Sequence, residues 1–275
     1  MINMINKTIE EWYTSEKVTE ISTLIGNTGY GKTYLAQKIQ EIYCVNKWPF
    51  AVIDKMGIHY TIRTEFDEVI IIGGEYGDVE IEDLDSALHV ILDKGYNYIL
   101  DLSELDDPDA QELVTEYFNY MFEWHKMTRK PRNYMIEECD VFIGQGGGML
   151  KVKNMISKCI TKGRMNGFGF TLLSQRFRMI DKTPLGQTRN YIIFNMKLTN
   201  DLALLKNLVG EDISAQVRRL KEGRCIIMTD EGHTSYRVGT KLGKDAAETP
   251  QVGKILQDIK IKPLNQKIKD ALELG

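Results

Sequence analysis

Residues 26–33 read Gly26-Asn27-Thr28-Gly29-Tyr30-Gly31-Lys32-Thr33, a complete G-x-x-x-x-G-K-[ST] phosphate-binding loop. Its flanks narrow the fold further. Ile21-Ser22-Thr23-Leu24-Ile25 is apolar and β-branched, the composition of a buried strand, and the stretch after the loop places Leu35, Ile39 and Ile42 at helical spacing. Strand, glycine loop and helix in that order aim backbone N–H groups and a helix N-terminus at a phosphate chain. In that frame Gly26 to Thr33 form the cradle, Lys32 lies along the β- and γ-phosphates, and the Thr33 hydroxyl ligates Mg²⁺. ATP with Mg²⁺ is the expected ligand.

Apolar runs recur along the chain at the spacing of alternating strands and helices. Strands are expected at Ile21–Ile25, Phe50–Asp54, Val69–Ile72, Tyr98–Leu102, Asn133–Glu137, Gly169–Ser174, Tyr191–Lys197 and Arg224–Thr229. Several are apolar throughout, as in a largely parallel sheet covered on both faces. Helices are expected between them at Lys32–Asn46, Asp83–Leu92, Asp109–Lys126, Met149–Lys162, Asp201–Leu208 and Ile213–Leu220, with loops at Gly73-Gly74 and Gly146-Gly147-Gly148. The result is one doubly wound α/β domain over residues 21–249, with an N-terminal extension (1–20) and a C-terminal tail (250–275). Ile255, Ile259 and Ile261, then Leu264, Ile268 and Leu272, give that tail helical spacing.

No apolar run approaches the ~18 residues that span a membrane, and Asn, Lys and Glu interrupt any signal-peptide core near the N-terminus. Cys44, Cys139, Cys159 and Cys225 form no C-x-x-C pair, so neither zinc nor a disulfide framework is indicated, and the cytoplasm is the expected compartment. The net charge of −4 conceals segregation: residues 64–120 hold seventeen acids and one base, whereas residues 151–190 hold nine bases and one acid. One surface is thereby suited to an anion and another to water or a tolerant partner.

A phosphate loop needs a second half. Two apolar strands end in acids: Tyr98-Ile99-Leu100-Asp101 and Asn133-Tyr134-Met135-Ile136-Glu137-Glu138. Adjacent strand-end residues point in opposite directions, so one carboxylate can serve the metal and the other a water in line with the γ-phosphate. Glu137 is assigned to Mg²⁺, through water, and Glu138 to polarising the attacking water; Asp101 is the alternative for the metal role. Gln175 follows the apolar strand Gly169–Ser174 and is placed to sense the γ-phosphate. Arg164 can reach a γ-phosphate across a subunit boundary, while Arg176 and Arg178 can serve the nucleotide or a nucleic acid.

Together these segments resemble the catalytic core of the HerA/FtsK superfamily of P-loop motor ATPases, the HerA branch most closely. The resemblance rests on Gly26–Thr33, on Phe50–Gly57 followed by Val69–Gly74, on Glu137-Glu138-Cys139-Asp140-Val141-Phe142, and on Gly163-Arg164-Met165-Asn166-Gly167 leading to Ser174-Gln175-Arg176. Leu220-Lys221-Glu222-Gly223 and Glu248-Thr249-Pro250 extend it. It implies a RecA-like P-loop NTPase fold and a hexameric ring, with Lys32, Thr33, Glu137 and Glu138 acting in cis, Gln175 as sensor and Arg164 as the arginine finger in trans. It also implies ATP-driven movement of double-stranded DNA through the pore, the basic 151–190 region helping to line it. Phosphate contacts would supply affinity with little sequence preference.

The chain departs from the pattern in two places. Cys139-Asp140 stands where Ala-His is usual, and only about twenty residues precede the first strand, where cellular members carry a β-barrel. A stripped core suits a virus or mobile element, with a portal or capsid partner, and weakens the link to a nuclease partner. Two other readings compete. A nucleotide-dependent switch acting on a protein is favoured by the acidic first half, but needs neither Glu138 nor Arg164. A small-molecule kinase would need a lid and an acceptor site, for which no segment gives a signal.

Overall fold

The computed structural model describes residues 7–146, 150–209, 213–245 and 259–273. The strands are β1 (Ile21–Ile25), β2 (Phe50–Asp54), β3 (Ile70–Ile72), β4 (Tyr98–Asp101), β5 (Arg132–Ile136), β6 (Phe168–Ser174), β7 (Asn190–Ile193), β8 (Arg224–Thr229) and β9 (Gly232–Arg237). The helices are α1 (Lys32–Asn46), α2 (Leu84–Lys94), α3 (Asp107–Thr128), α4 (Asp140–Ile143), α5 (Leu150–Lys162), α6 (Lys182–Gln187), α7 (Thr199–Val209), α8 (Ser214–Arg218) and α9 (Gln266–Glu273). One sheet runs in the order β3-β4-β2-β5-β6-β1-β7-β8-β9. The pairings from β3 to β7 are parallel, and β8 and β9 close the edge antiparallel. This is the expected RecA-like arrangement.

Burial on both faces explains why the strands read as unbroken apolar runs. Successive residues enter different cores: Ile25, Ile53, Ile136 and Leu172 pack beneath α2, α3 and α5, whereas Leu24, Val52, Met135 and Leu173 pack with Leu35, Ile39 and Tyr43 of α1. Local chemistry sets the helix ends. The Asp106 carboxylate accepts from the Asp109 N–H at 2.9 Å, with a proline in the first turn of α3, and Gly95 ends α2 in the left-handed region. The charge segregation becomes a gradient across one face: Asp85, Asp93, Asp109 and Glu116 are exposed on α2 and α3, and Lys151 and Lys162 on α5, all over the same core.

Several expectations are corrected. Strand β7 stops at Ile193 instead of Lys197, because the Asn195 side chain turns to the Arg218 and Leu220 carbonyls, 2.9 and 3.1 Å away. The hairpin strand β9, the four-residue α4 and the six-residue α6 were not expected. Residues 259–264 are not helical despite their spacing. Their backbone is taken by another segment: the Lys262 N–H donates to the Arg63 carbonyl at 2.8 Å, and the buried Arg63 guanidinium donates to the Lys262 carbonyl at 2.7 Å. The helix that does form, α9, buries Ile268. Ile255, Gly147-Gly148, Met149 and Glu248-Thr249-Pro250 lie outside the described residues.

Candidate functional site

The site lies at the C-terminal edge of the parallel strands, where ligands bind in open α/β sheets. In β1, Ile25 is paired with Ser174 of β6 on one side and Ile193 of β7 on the other. The loop leaving β1 therefore emerges beside Gln175. A Cβ on Gly26 would come within 2.6 Å of the Phe194 Cβ, and φ there is +146°. Only glycine lets the loop pass so close to β7. Gly31 is left-handed at the N-terminus of α1, and the Asn27 N–H donates to the Asn195 carbonyl at 2.8 Å. The buried Lys32 ammonium folds back over the loop, 3.1 Å from the Asn27 carbonyl. Burial lowers its pKa, while Glu137 and Glu138 oppose that shift.

The acids arrive from β5. The buried Glu137 accepts from the Thr33 hydroxyl at Oε1 (3.2 Å), and its Oε2 faces Nε2 of the fully buried His59 at 3.1 Å. Burial works against protonation of His59, but Asp54 and the Glu137 contact outweigh it and raise its pKa. Glu138 has a left-handed backbone, φ +47°. Burial raises the Glu138 pKa, as do the neighbouring Asp140 and Glu137 carboxylates. The Gln175 amide donates to Glu138 Oε1, and its carbonyl oxygen accepts from the Thr28 hydroxyl. One side chain thus joins the phosphate loop to the second acid.

Thr33 Oγ1 and Glu137 Oε1 stand 3.2 Å apart, close to the ~2.9 Å between neighbouring oxygens around an octahedral cation with ~2.05 Å bonds. Oxygen donors at this spacing suit Mg²⁺. A cavity of about 590 Å³ opens over the loop, lined by Thr28, Gly29, Gly31, Lys32, Thr33, Tyr34 and Gln175, and by Glu222, Gly223, Val238, Gly239 and Asp245. That size accommodates a nucleotide.

The structure brings together Gly26, Asn27, Thr28, Gly29, Tyr30, Gly31, Lys32, Thr33, Glu137, Glu138 and Gln175. Two expected residues lie elsewhere. Asp101 is on β4, with β2, β5 and β6 between it and β1; its carboxylate accepts from the Ser103 N–H at 2.9 Å, and burial raises its pKa. Arg164 is exposed in the turn before β6, at the opposite edge of the sheet and about 20 Å from the phosphate loop for a seven-residue strand. It cannot serve the site of its own subunit.

Sequence reasoning assigned no role to Asp54, His59 or the wall formed by residues 222–223 and 238–245. The Asp54 carboxylate accepts four backbone N–H groups, from Met56 and Gly57 at 3.0 Å and from Ile58 and His59 at 2.8 Å. Aspartate three residues before a glycine is a readable turn signal. The wall is held to α1 from a distance: Lys38 Nζ donates to the Thr240 carbonyl at 2.7 Å, and Glu41 accepts from the Leu242 and Gly243 N–H groups. No local pattern announces those contacts.

No family model matches the chain. The DNA double-strand break repair helicase HerA of Saccharolobus solfataricus is 26% identical over 176 residues, covering 59% of this chain and 35% of that protein. HerA of Sulfurisphaera tokodaii is 28% identical over 191 residues, covering 64% and 38%. The chain thus spans little more than a third of these relatives. Among solved structures, the genome packaging NTPase B204 of Sulfolobus turreted icosahedral virus 2 in complex with ATP-gammaS superposes with a TM-score of 0.55 at 18% identity, covering 80% of this chain and 98% of that one. VirB4 of Thermoanaerobacter pseudethanolicus gives a TM-score of 0.62 at 9% identity, covering 84% and 92%. At such identities the two structures speak for the fold, and the HerA matches for the type of core. The chain carries a P-loop ATPase core of the HerA/FtsK type.

Proposed function

We propose that the chain hydrolyses Mg²⁺-ATP and uses the energy to move double-stranded DNA, as a subunit of a hexameric ring. The observation that carries the reading is the junction of Thr28, Gln175 and Glu138. It ties the phosphate loop, the sensor and the base in one hydrogen-bonded path, an arrangement suited to turnover and to relaying loss of the γ-phosphate. Thr33 and Glu137 would hold Mg²⁺, which neutralises charge on the β- and γ-phosphate oxygens. Lys32 binds the same oxygens. Glu138 accepts a hydrogen bond from the attacking water and orients it, its raised pKa bringing it nearer to a useful base. Gln175 holds Glu138 until the γ-phosphate arrives to compete for its amide.

Arg164 is exposed at the far edge of the sheet, so in this reading it serves the neighbouring subunit. That requires a ring contact that brings this edge to the next phosphate loop. The exposed bases of α5 and the segment after β6 supply a surface for DNA phosphates. The names of the HerA helicases and of the genome packaging NTPase agree with DNA as the cargo; in this reading the ring works beside a nuclease in repair, or beside a portal or capsid in packaging. The acidic surface of α2 and α3 favours a second reading, a switch that hydrolyses ATP slowly and binds a basic protein. ATP turnover measured with and without duplex DNA, beside the particle mass, separates them. A hexamer stimulated by DNA supports the motor; a monomer whose rate ignores DNA refutes it.

A further inference from the structure

His59 takes no part in the chemistry above, yet it is fully buried against one of the acids. It lies 78 residues from Glu137 in sequence, and its Nε2 is 3.1 Å from Glu137 Oε2. On the other side of the ring, Nδ1 is 2.6 Å from the Gln40 side-chain amide of α1. If that amide presents its N–H, Nδ1 accepts and the ring hydrogen is on Nε2. If it presents its oxygen, Nδ1 must carry a hydrogen, and a bare Nε2 would then face a carboxylate oxygen. In either orientation Nε2–H donates to Oε2.

The residue that carries the ring is itself held through its main chain. Its backbone N–H donates to Asp54 Oδ2 at 2.8 Å, within the turn whose four N–H groups that carboxylate gathers. Gln37 of α1 donates to the Ile58 carbonyl at 3.0 Å. Contacts therefore close a circuit: α1 holds His59 through Gln40, His59 holds Glu137, and Glu137 returns to Thr33 in the first turn of α1. Two points of attachment stop the Glu137 carboxylate from rotating, and Oε1 is the oxygen left facing Thr33.

We propose that His59 is a positioning residue, clamping Glu137 Oε2 so that Oε1 and the Thr33 hydroxyl are presented together to the cation of the bound nucleotide. This rests on the reading of Thr33 and Glu137 as the cation site. Partners that orient a metal ligand change metal affinity by about 10–100-fold when removed, and a histidine serving only the core would not affect that quantity.

The test measures Mn²⁺ affinity by electron paramagnetic resonance, in the presence of a non-hydrolysable ATP analogue, for the whole chain and its variants. His59→Leu removes the donor and keeps an apolar volume; Mn²⁺ affinity should fall by about tenfold or more, while affinity for the analogue without metal stays within about twofold. His59→Gln keeps an N–H donor and should recover most of the loss. If His59→Leu does not fold, Gln40→Leu releases the ring from the other side and should weaken Mn²⁺ binding while His59 remains. Unchanged Mn²⁺ affinity in a folded His59→Leu or Gln40→Leu chain overturns the proposal. A wild-type chain that binds the analogue with no added affinity from Mn²⁺ overturns the cation site itself, and the clamp with it.

Discussion

His125 makes the fold beneath the site sensitive to acid. Its ring is fully buried where the end of α3 meets β5 and β6, the strands that deliver Glu137, Glu138 and Gln175. Nδ1 lies 3.2 Å from the Asn166 carbonyl, which only accepts, so Nδ1 carries the hydrogen and Nε2 accepts from the Tyr134 hydroxyl at 2.7 Å. Both nitrogens are satisfied in the neutral ring. Burial above all, with the Arg132 charge adding to it, lowers the pKa from 6.5 to about 4. As pH falls through the ordinary histidine value the unfolded chain takes up a proton that the folded chain refuses. The contribution is therefore whole above pH ~6.5, falls progressively as pH drops to ~4, and is constant below. At ~1.4 kcal/mol per pH unit separating the two values it amounts to about 3 kcal/mol in full, and about 2 kcal/mol is already lost at pH ~5. Urea unfolding followed by circular dichroism tests this against His125→Gln, which cannot titrate. Other titrations cancel in the comparison. Between pH ~7.5 and ~5 the wild type should lose about 2 kcal/mol more than the variant; parallel losses would refute the reasoning.

Three further predictions concern the site. Glu138→Gln should keep ATP-analogue affinity within about twofold and lower single-turnover hydrolysis at least about a hundredfold; turnover near wild type would remove Glu138 from the chemistry. Gly26→Ala places a methyl 2.6 Å from the Phe194 Cβ at φ +146°, so it should cost about 1–3 kcal/mol and weaken nucleotide binding. Thermal melting checks the first effect and nucleotide titration the second, and no change in either contradicts the account of the loop. Arg164→Ala subunits mixed with Lys32→Ala subunits should regain some ATPase activity at mixed contacts, and no recovery at any ratio argues against an arginine acting in trans.

Much of the fold was legible because its physics is local. Strands buried on both faces keep apolar side chains in both directions, so β1, β2 and β8 are bounded correctly by composition alone. Strand β9 has little apolar signal: Gly232, Thr234, Ser235 and Arg237 are exposed and only Tyr236 is buried. Helical spacing misled at 259–264, where hydrogen bonds to Arg63 outweigh an amphipathic pattern too short to hold a helix unaided. In the site, the loop and the acid pair were readable as sequence neighbours. The clamp joining Gln40, His59 and Glu137 was not, because its members come from α1, the turn after β2 and the end of β5. Arg164 shows the converse: a motif marks it, but only the topology places it at the far edge of the sheet.

The most direct test of the central claim is displacement of a triplex-forming strand from duplex DNA. The account predicts that the chain displaces it with ATP and Mg²⁺, that a non-hydrolysable analogue does not replace ATP, and that Lys32→Ala abolishes the effect. ATP hydrolysis at the normal rate, on DNA demonstrably bound, with the triplex left in place would contradict it.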